Sequence, residues 1–209
     1  MIEQFDSVRK LKSIESWGSG LTHIPAKNAT VNIGSLVRTP HLLLIYKRNV
    51  MLDEQLTREL GTKLVEKGYT IATAESCTAG GISSFIASIS GASRYLKGGV
   101  VSYFTEVKEN VLNVPKKLIE QYDVVSKEVA QQMAIGVRHL LDSDIAIGIT
   151  GYAGLTGGNS KVPNGTVWIC AINGNNGNQA LRELHVNEER KRNLEICVEE
   201  AVKLALEVI

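Results

Sequence analysis

From Leu52 onward the apolar positions follow two rhythms that alternate along the chain. Leu56, Leu60, Leu64 and Val65 recur at helical spacing over residues 52–67, and Gly68 is placed to stop that helix. A short apolar run at 69–73 predicts a strand, and Ile82, Phe85, Ile86 and Ile89 predict a second helix ending near Gly91. Residues 98–104 read as a strand with a glycine-marked entrance. Thr105 is placed to cap a helix over 106–112, and Pro115 to occupy the first turn of another. Ser126 starts a longer helix whose buried stripe is Val129, Met133, Val137 and Leu140. The unbroken apolar run at 145–149 is the mark of a strand buried on both faces. Strands at 165–171 and 181–186 flank a polar turn and predict a hairpin. A last helix runs from about Glu188 to Val208, with Leu194, Cys197, Val198, Val202 and Leu206 inward. Helices alternating with buried strands, closed by one hairpin, predict an α/β fold: a three-layer αβα sandwich around a mixed sheet, as one domain over 51–209.

Residues 1–50 break the pattern. Pro25 and Pro40 interrupt any long helix, 13–20 is rich in small polar residues, and 41–46 offers one strand. This segment is expected to be an N-terminal extension of unassigned role, and Met51 is a candidate internal start. Composition narrows the setting. Of 209 residues, 44% are hydrophobic but only 5% aromatic, so the core is built from aliphatic side chains. Lys plus Arg number 23 against 22 Asp plus Glu, and a net charge of +1 gives no ground for a nucleic-acid or membrane partner. Three widely spaced cysteines fit reduced thiols, and the N-terminus lacks a secretory pattern, so a cytoplasmic setting is expected.

The stretch with the most chemistry is Thr-Ala-Glu-Ser-Cys-Thr-Ala-Gly-Gly at 73–81. A strand entering a helix there leaves the first helical amides unpaired and aimed at one spot, where they attract a bound anion or a developing oxyanion. Ser76 lies at that spot as a candidate nucleophile, with Cys77 ranked below it for want of a histidine base; the competing reading is that Ser76 or Thr78 only caps the helix. Tyr103 and Lys108 are spaced to project toward the same sheet edge, where a desolvated lysine loses its proton near neutrality and a tyrosine hydroxyl relays one. The competing reading is an interfacial tyrosine and a solvated lysine. A second glycine-rich turn at 151–158 follows a strand, matches neither a P-loop nor a dinucleotide fingerprint, and is a plausible wall of the same pocket. Arg190 is a candidate phosphate ligand if the last helix opens beside it. The four scattered histidines give no zinc spacing, so no metal is expected.

Taken in order, the 73–81 motif, Gly-Gly-Val-Val-Ser-Tyr followed by Lys108, Val-Ser-Lys-Glu-Val-Ala, Thr-Gly-Tyr-Ala-Gly…Gly-Gly and Val-Pro-Asn-Gly-Thr-Val-Trp resemble the CinA C-terminal domain, the nicotinamide-nucleotide amidohydrolase family. The resemblance covers about 52–209. It implies deamidation of nicotinamide mononucleotide to nicotinic acid mononucleotide and ammonia, in pyridine-nucleotide recycling. It carries the catalytic serine, tyrosine and lysine onto Ser76, Tyr103 and Lys108. On that mechanism Cys77, Thr78, Gly80 and Gly81 hold the oxyanion or substrate, and Thr150, Gly151, Gly157, Gly158 and Arg190 hold the phosphate. No organic cofactor is implied; the partners are the small nucleotide and further copies of the chain, as a homo-oligomer. Several positions depart from the family pattern: Thr105 where asparagine is usual, Ala79 for a common glycine, and Tyr152, Leu155 and Thr156 in the glycine loop. The altered loop leaves an alternative open, a non-catalytic nucleotide-binding or protein-interaction module that kept the pocket.

Overall fold

The computed structural model describes residues 52–209. The expected extension 1–50, its strand at 41–46 and the start at Met51 lie outside the described residues. Helix α1 (Glu54–Lys67) is capped by Asp53, whose side chain accepts from the Gln55 amide, and ends at Gly68 in the left-handed conformation, φ 66°. Strand β1 (Ile71–Glu75) follows, buried at every position, and leads through a tight turn into α2 (Gly81–Ala87). After a single 3₁₀ turn come β2 (Leu96–Val101), the short helices α3 (Thr105–Asn110) and α4 (Lys116–Tyr122), and α5 (Lys127–Leu141). Strands β3 (Ile145–Gly151), β4 (Thr166–Asn173) and β5 (Gln179–His185) then precede α6 (Arg190–Val208).

The five strands form one mixed sheet in the order β2-β1-β3-β4-β5. β1 runs parallel to both β2 and β3, while β3–β4 and β4–β5 are antiparallel. Alternation along the buried strands sends side chains to two cores. Ile71, Ile145, Ile147, Ile149, Val167 and Ile169 pack under α1, α2 and α6. Ala72, Ala74, Ala146, Cys170 and Ile172 pack under α5. The expected αβα sandwich with a mixed sheet is therefore the observed architecture. Among the described residues no helix is long and apolar enough to cross a membrane.

The connections fix where a ligand can sit. From β1 the chain crosses through α2 to β2 on one flank; from β2 it returns across the other face, through α3, α4 and α5, to β3 on the opposite flank of β1. The carboxyl ends of three parallel strands thus meet at a point where the connections diverge, leaving a crevice between them.

Several local expectations need correction. Leu140 is half exposed and not part of the α5 stripe; Leu141, four residues after Val137, packs against that core instead. Val65 is likewise exposed on α1, and Leu204 with Ala205 takes the buried side of α6 beside Val202, leaving Leu206 only partly covered. Thr105 does not cap α3: it is the first helical residue, and Phe104 holds the cap position without a side-chain bond. β2 ends at Val101, so Tyr103 lies in the connecting turn, and α6 begins at Arg190.

The small residues beneath α5 let it lie close to the sheet. A Cβ on Gly148 would overlap the Ala130 carbonyl oxygen and the Ala134 nitrogen, both backbone atoms that cannot swing aside. Gly148→Ala is therefore expected to cost about 1–3 kcal/mol of stability. Urea denaturation measures it, and an unchanged midpoint would mean that α5 has room to move outward freely.

Candidate active site

The turn after β1 is built around a buried carboxylate. Glu75 is fully buried, yet its two oxygens accept from the amides of Gly80 (3.0 Å), Ile82 (3.0 Å) and Ser83 (2.8 Å) and from the Thr78 hydroxyl (2.7 Å). The Ser83 and Thr73 hydroxyls, themselves 2.5 Å apart, complete the shell at 2.9 and 3.1 Å. Gly80 holds the cap position of α2 at φ 98°, where a side chain is disfavoured and none is available to cap. Glu75 takes that role from five residues upstream. The first α2 amides are thus already paired, which the sequence reading did not foresee. The amides of Cys77 and Thr78, by contrast, have no acceptor among the described residues.

Ser76 follows directly. Its amide donates to Ile149 of β3 (3.1 Å), while the Glu75 carbonyl accepts from Ser102 after β2 (2.7 Å), so the turn is held from both flanking strands. The neighbouring side chains divide. Ser76 faces the crevice, and Cys77 turns its thiol into the core under α6. Burial pushes the Cys77 thiol up to about 12, which removes it as a thiolate nucleophile near neutrality.

Lys108 reaches Ser76 from α3. The residue is 1% exposed, and its amine lies 3.0 Å from Ser76 Oγ, 2.5 Å from the Ser102 carbonyl and 3.4 Å from the Tyr103 carbonyl. No carboxylate pairs with it among the described residues. Burial lowers its pKa from the ordinary 10.5 to about 8, against a smaller upward pull from Cys77. A neutral amine has two N–H bonds and one lone pair. With both carbonyls taking the N–H groups, the lone pair is left for the Ser76 hydroxyl proton.

Tyr103 is placed differently from the relay expected of it. Its hydroxyl is bonded by Arg190 Nη2 at 3.3 Å, and it is the Tyr103 carbonyl that meets Lys108. The ring is more than half exposed at the mouth of the crevice. Arg190, the first residue of α6, is set there by Asn193, which is fully buried and bonds Glu188 and the Ala153 carbonyl of the glycine loop. Neither Glu75 nor Asn193 was singled out from the sequence. Both resemble ordinary polar residues until the fold shows what they hold.

The crevice encloses about 270 Å³ and is walled at the ends of all three parallel strands: Ser76 and Cys77 after β1, Tyr103, Thr105 and Lys108 after β2, and residues 150–154, 156 and 157 at the end of β3 and in the loop beyond it, with Val124 and Val125 before α5 and Arg190 across the mouth. Of the expected phosphate ligands, Thr150, Gly151, Gly157 and Arg190 line it. The Thr150 hydroxyl is already donated to the Val124 carbonyl (2.9 Å). Gly158 is off the wall, its amide given to the Asn164 side chain at 2.6 Å. Of the expected oxyanion group only Cys77 reaches the wall; Thr78, Gly80 and Gly81 lie behind it, turned toward Glu75 or the α2 backbone. A larger groove of about 440 Å³ between α1 and Tyr95 has no buried amine facing a hydroxyl, so chemistry rather than size selects the site.

The sequence profile of the CinA C-terminal domain matches residues 53–209. The chain belongs to that family. A putative competence-damage inducible protein of Desulforamulus reducens is 39% identical over 188 residues, covering 90% of this chain and 44% of that protein. A CinA-like protein of Thermosipho melanesiensis is 48% identical over 120 residues, 57% of this chain and 30% of that one. The chain spans less than half the length of these curated relatives. Among solved structures, the competence/damage inducible protein CihA from Agrobacterium tumefaciens matches with a TM-score of 0.71 at 30% identity, over 74% of this chain and 93% of that one. A CinA superfamily protein from Escherichia coli matches with a TM-score of 0.71 at 31% identity, over 75% and 90%. Ser76, Tyr103 and Lys108 all fall within the CinA-matched region and line one crevice.

The contrast between the two neighbours Ser76 and Cys77 is directly measurable. Cys77 in the folded protein is expected to resist alkylation by iodoacetamide at pH 7.5 and to react only after denaturation. Rapid native labelling of Cys77, read by peptide mass spectrometry, would contradict its buried, protonated state.

Proposed function

We propose that this CinA-family chain is an amidohydrolase that converts nicotinamide mononucleotide to nicotinic acid mononucleotide and ammonia through an acyl-Ser76 intermediate. The observation that carries the reading is the buried Lys108, its amine 3.0 Å from Ser76 Oγ, without a carboxylate partner among the described residues and with its pKa lowered to about 8. A lysine kept for stability would be paired or solvated; one kept dry beside a hydroxyl is suited to take its proton. The substrate assignment comes from the family resemblance.

In the reaction, Lys108 Nζ takes the Ser76 hydroxyl proton as Oγ bonds to the carboxamide carbon. The C=O π pair moves onto oxygen, for which the Cys77 and Thr78 amides, unpaired among the described residues and next in sequence to Ser76, are the candidate donors. Collapse breaks the C–N bond, and the departing nitrogen takes the proton from Lys108 to leave as ammonia. Water then adds to the ester carbon, giving one proton to Lys108, which returns it to Ser76 Oγ as the acid is released. Proton transfer thus runs directly between Ser76 and Lys108. In this reading Arg190, bonded to the Tyr103 hydroxyl at the mouth, takes the nucleotide's phosphate through its guanidinium.

Ammonia release from nicotinamide mononucleotide tests the proposal. Ser76→Ala and Lys108→Ala are each expected to lower kcat by roughly a thousand-fold or more. Arg190→Ala is expected to act mainly on KM, raising it roughly ten-fold. Since Lys108 works as the neutral amine, kcat/KM is expected to rise with pH through a midpoint near 8. Tight nucleotide binding with no turnover by the unmutated chain would identify a binding module instead, and a rate flat across pH 7–9 would remove Lys108 as the base.

A further inference from the structure

The mechanism above leaves one buried charged group unused. Glu75 sits beside the nucleophile in sequence, is fully buried, and faces three amides and the hydroxyls of Thr78, Ser83 and Thr73. We propose that Glu75 is a positioning residue for the oxyanion site: its carboxylate occupies the amino end of α2 and fixes the Ser76–Thr78 turn, so that the Cys77 and Thr78 amides, which follow Ser76 in the chain, stay unpaired. This rests on the reading of Ser76 as an acyl-transfer nucleophile, though not on the identity of the substrate.

Three observations combine. First, the bonds made by Glu75 straddle the turn: Thr73 lies before Ser76, and Thr78, Gly80, Ile82 and Ser83 lie after it. A single rigid group therefore sets the path of all the residues between. Second, donors divide cleanly around it. Gly80, Ile82 and Ser83 give their amides to Glu75, Ala79 and Gly81 give theirs to the Ser76 and Thr78 carbonyls, and only Cys77 and Thr78 are left over. Third, the amino end of α2 is already neutralised by Glu75, so its amides are not open to a bound anion and the turn is left for charge that appears only during reaction.

The role can be read without any assumption about the nucleotide, using a fluorophosphonate that labels reactive serines. Ser76 Oγ bonds to phosphorus, the P–F bond breaks, fluoride departs with the electron pair, and the serine proton goes to Lys108. Labelling of Ser76 is followed by intact-protein and peptide mass spectrometry across pH 6.5–9.5. Glu75→Gln preserves shape but replaces an acceptor-only carboxylate with an amide that presents two N–H groups to a shell of donors. This variant, shown to be folded by circular dichroism, is expected to label roughly ten- to a hundred-fold more slowly, with the pH midpoint of the parent. A rate within two-fold of the parent would overturn the proposal. So would a displaced midpoint, since Glu75 would then be acting on the Lys108 amine rather than on the turn. Should Glu75→Gln not fold, Thr78→Val removes the 2.7 Å hydroxyl bond while keeping every amide. It is expected to label several-fold more slowly, and an unchanged rate would overturn the proposal equally. A parent protein that labels at Ser76 but releases no ammonia from nicotinamide mononucleotide would refute the substrate assignment and leave the role of Glu75 standing.

Discussion

A carboxylate sealed inside the protein is the constraint around which the rest is arranged. Burying Glu75 without partners would cost several kcal/mol, and so would leaving the first amides of α2 unpaired. Each requirement meets the other. β1 ends in the one residue able to accept many donors, and the following helix begins with donors that have no carbonyl of their own. The result is a turn with little freedom, tied to β2 through Ser102 and to β3 through the Ser76 amide. A nucleophile on such a turn is located by the sheet itself rather than by a loop, which limits the geometric error that catalysis tolerates poorly.

Lys108 presents the opposite solution to a similar problem. The residue is as deeply buried as Glu75, but among the described residues its amine meets two carbonyls and a hydroxyl and no counter-ion. Glu75 is surrounded by donors that suit a charge; Lys108 has no opposing charge among the described residues, and burial favours its neutral amine, whose lone pair can then face the Ser76 hydroxyl. The stability that burial would otherwise contribute at Lys108 is diminished, while the hydroxyl beside it gains a base. That two fully buried ionisable groups flank one serine, each satisfied in its own way, distinguishes this crevice from the larger groove beside α1.

Much of this was legible in the chain, for identifiable reasons. Helix α1 ends at Gly68 because only a left-handed residue closes it there, and β3 declared itself as an unbroken apolar run. Ser126 caps α5 through the Val129 amide, as its place before an apolar stripe implied. Ser76 and Lys108 were visible because a strand-to-helix turn and a following short helix converge whenever the intervening strands are parallel neighbours. What failed depended on contacts far apart in sequence. The Tyr103 hydroxyl is claimed by Arg190, 87 positions away. Leu140 obeys helical spacing yet misses the sheet, since a stripe does not reveal where the partner surface stops. Glu75 was the least readable residue: an acid at the end of a strand usually points to water, and nothing local shows that a helix terminus will enclose it.

Three of the residues that depart from the family pattern, Tyr152, Leu155 and Thr156, lie in the glycine loop, and that loop has supports of its own. Tyr152 is joined to the segment before α5: its hydroxyl donates to Asp123 at 3.4 Å, and Asn159 from the same loop donates to the other Asp123 oxygen at 2.8 Å. Asp123 itself lies at φ 76°, a conformation that costs a non-glycine residue about 1–3 kcal/mol and persists when surrounding contacts hold it. The glycine loop is thus fastened across the mouth by bonds that involve neither Ser76 nor Lys108. Changes on it alter the shape offered to a ligand while leaving the nucleophile and base untouched. The parallel strands divide the work accordingly. The ends of β1 and β2 deliver Ser76 and Lys108, joined by a hydrogen bond between them, and β3 delivers a loop fastened to Asp123, so the nucleophile with its base and the loop sit on one edge of the sheet with different supports.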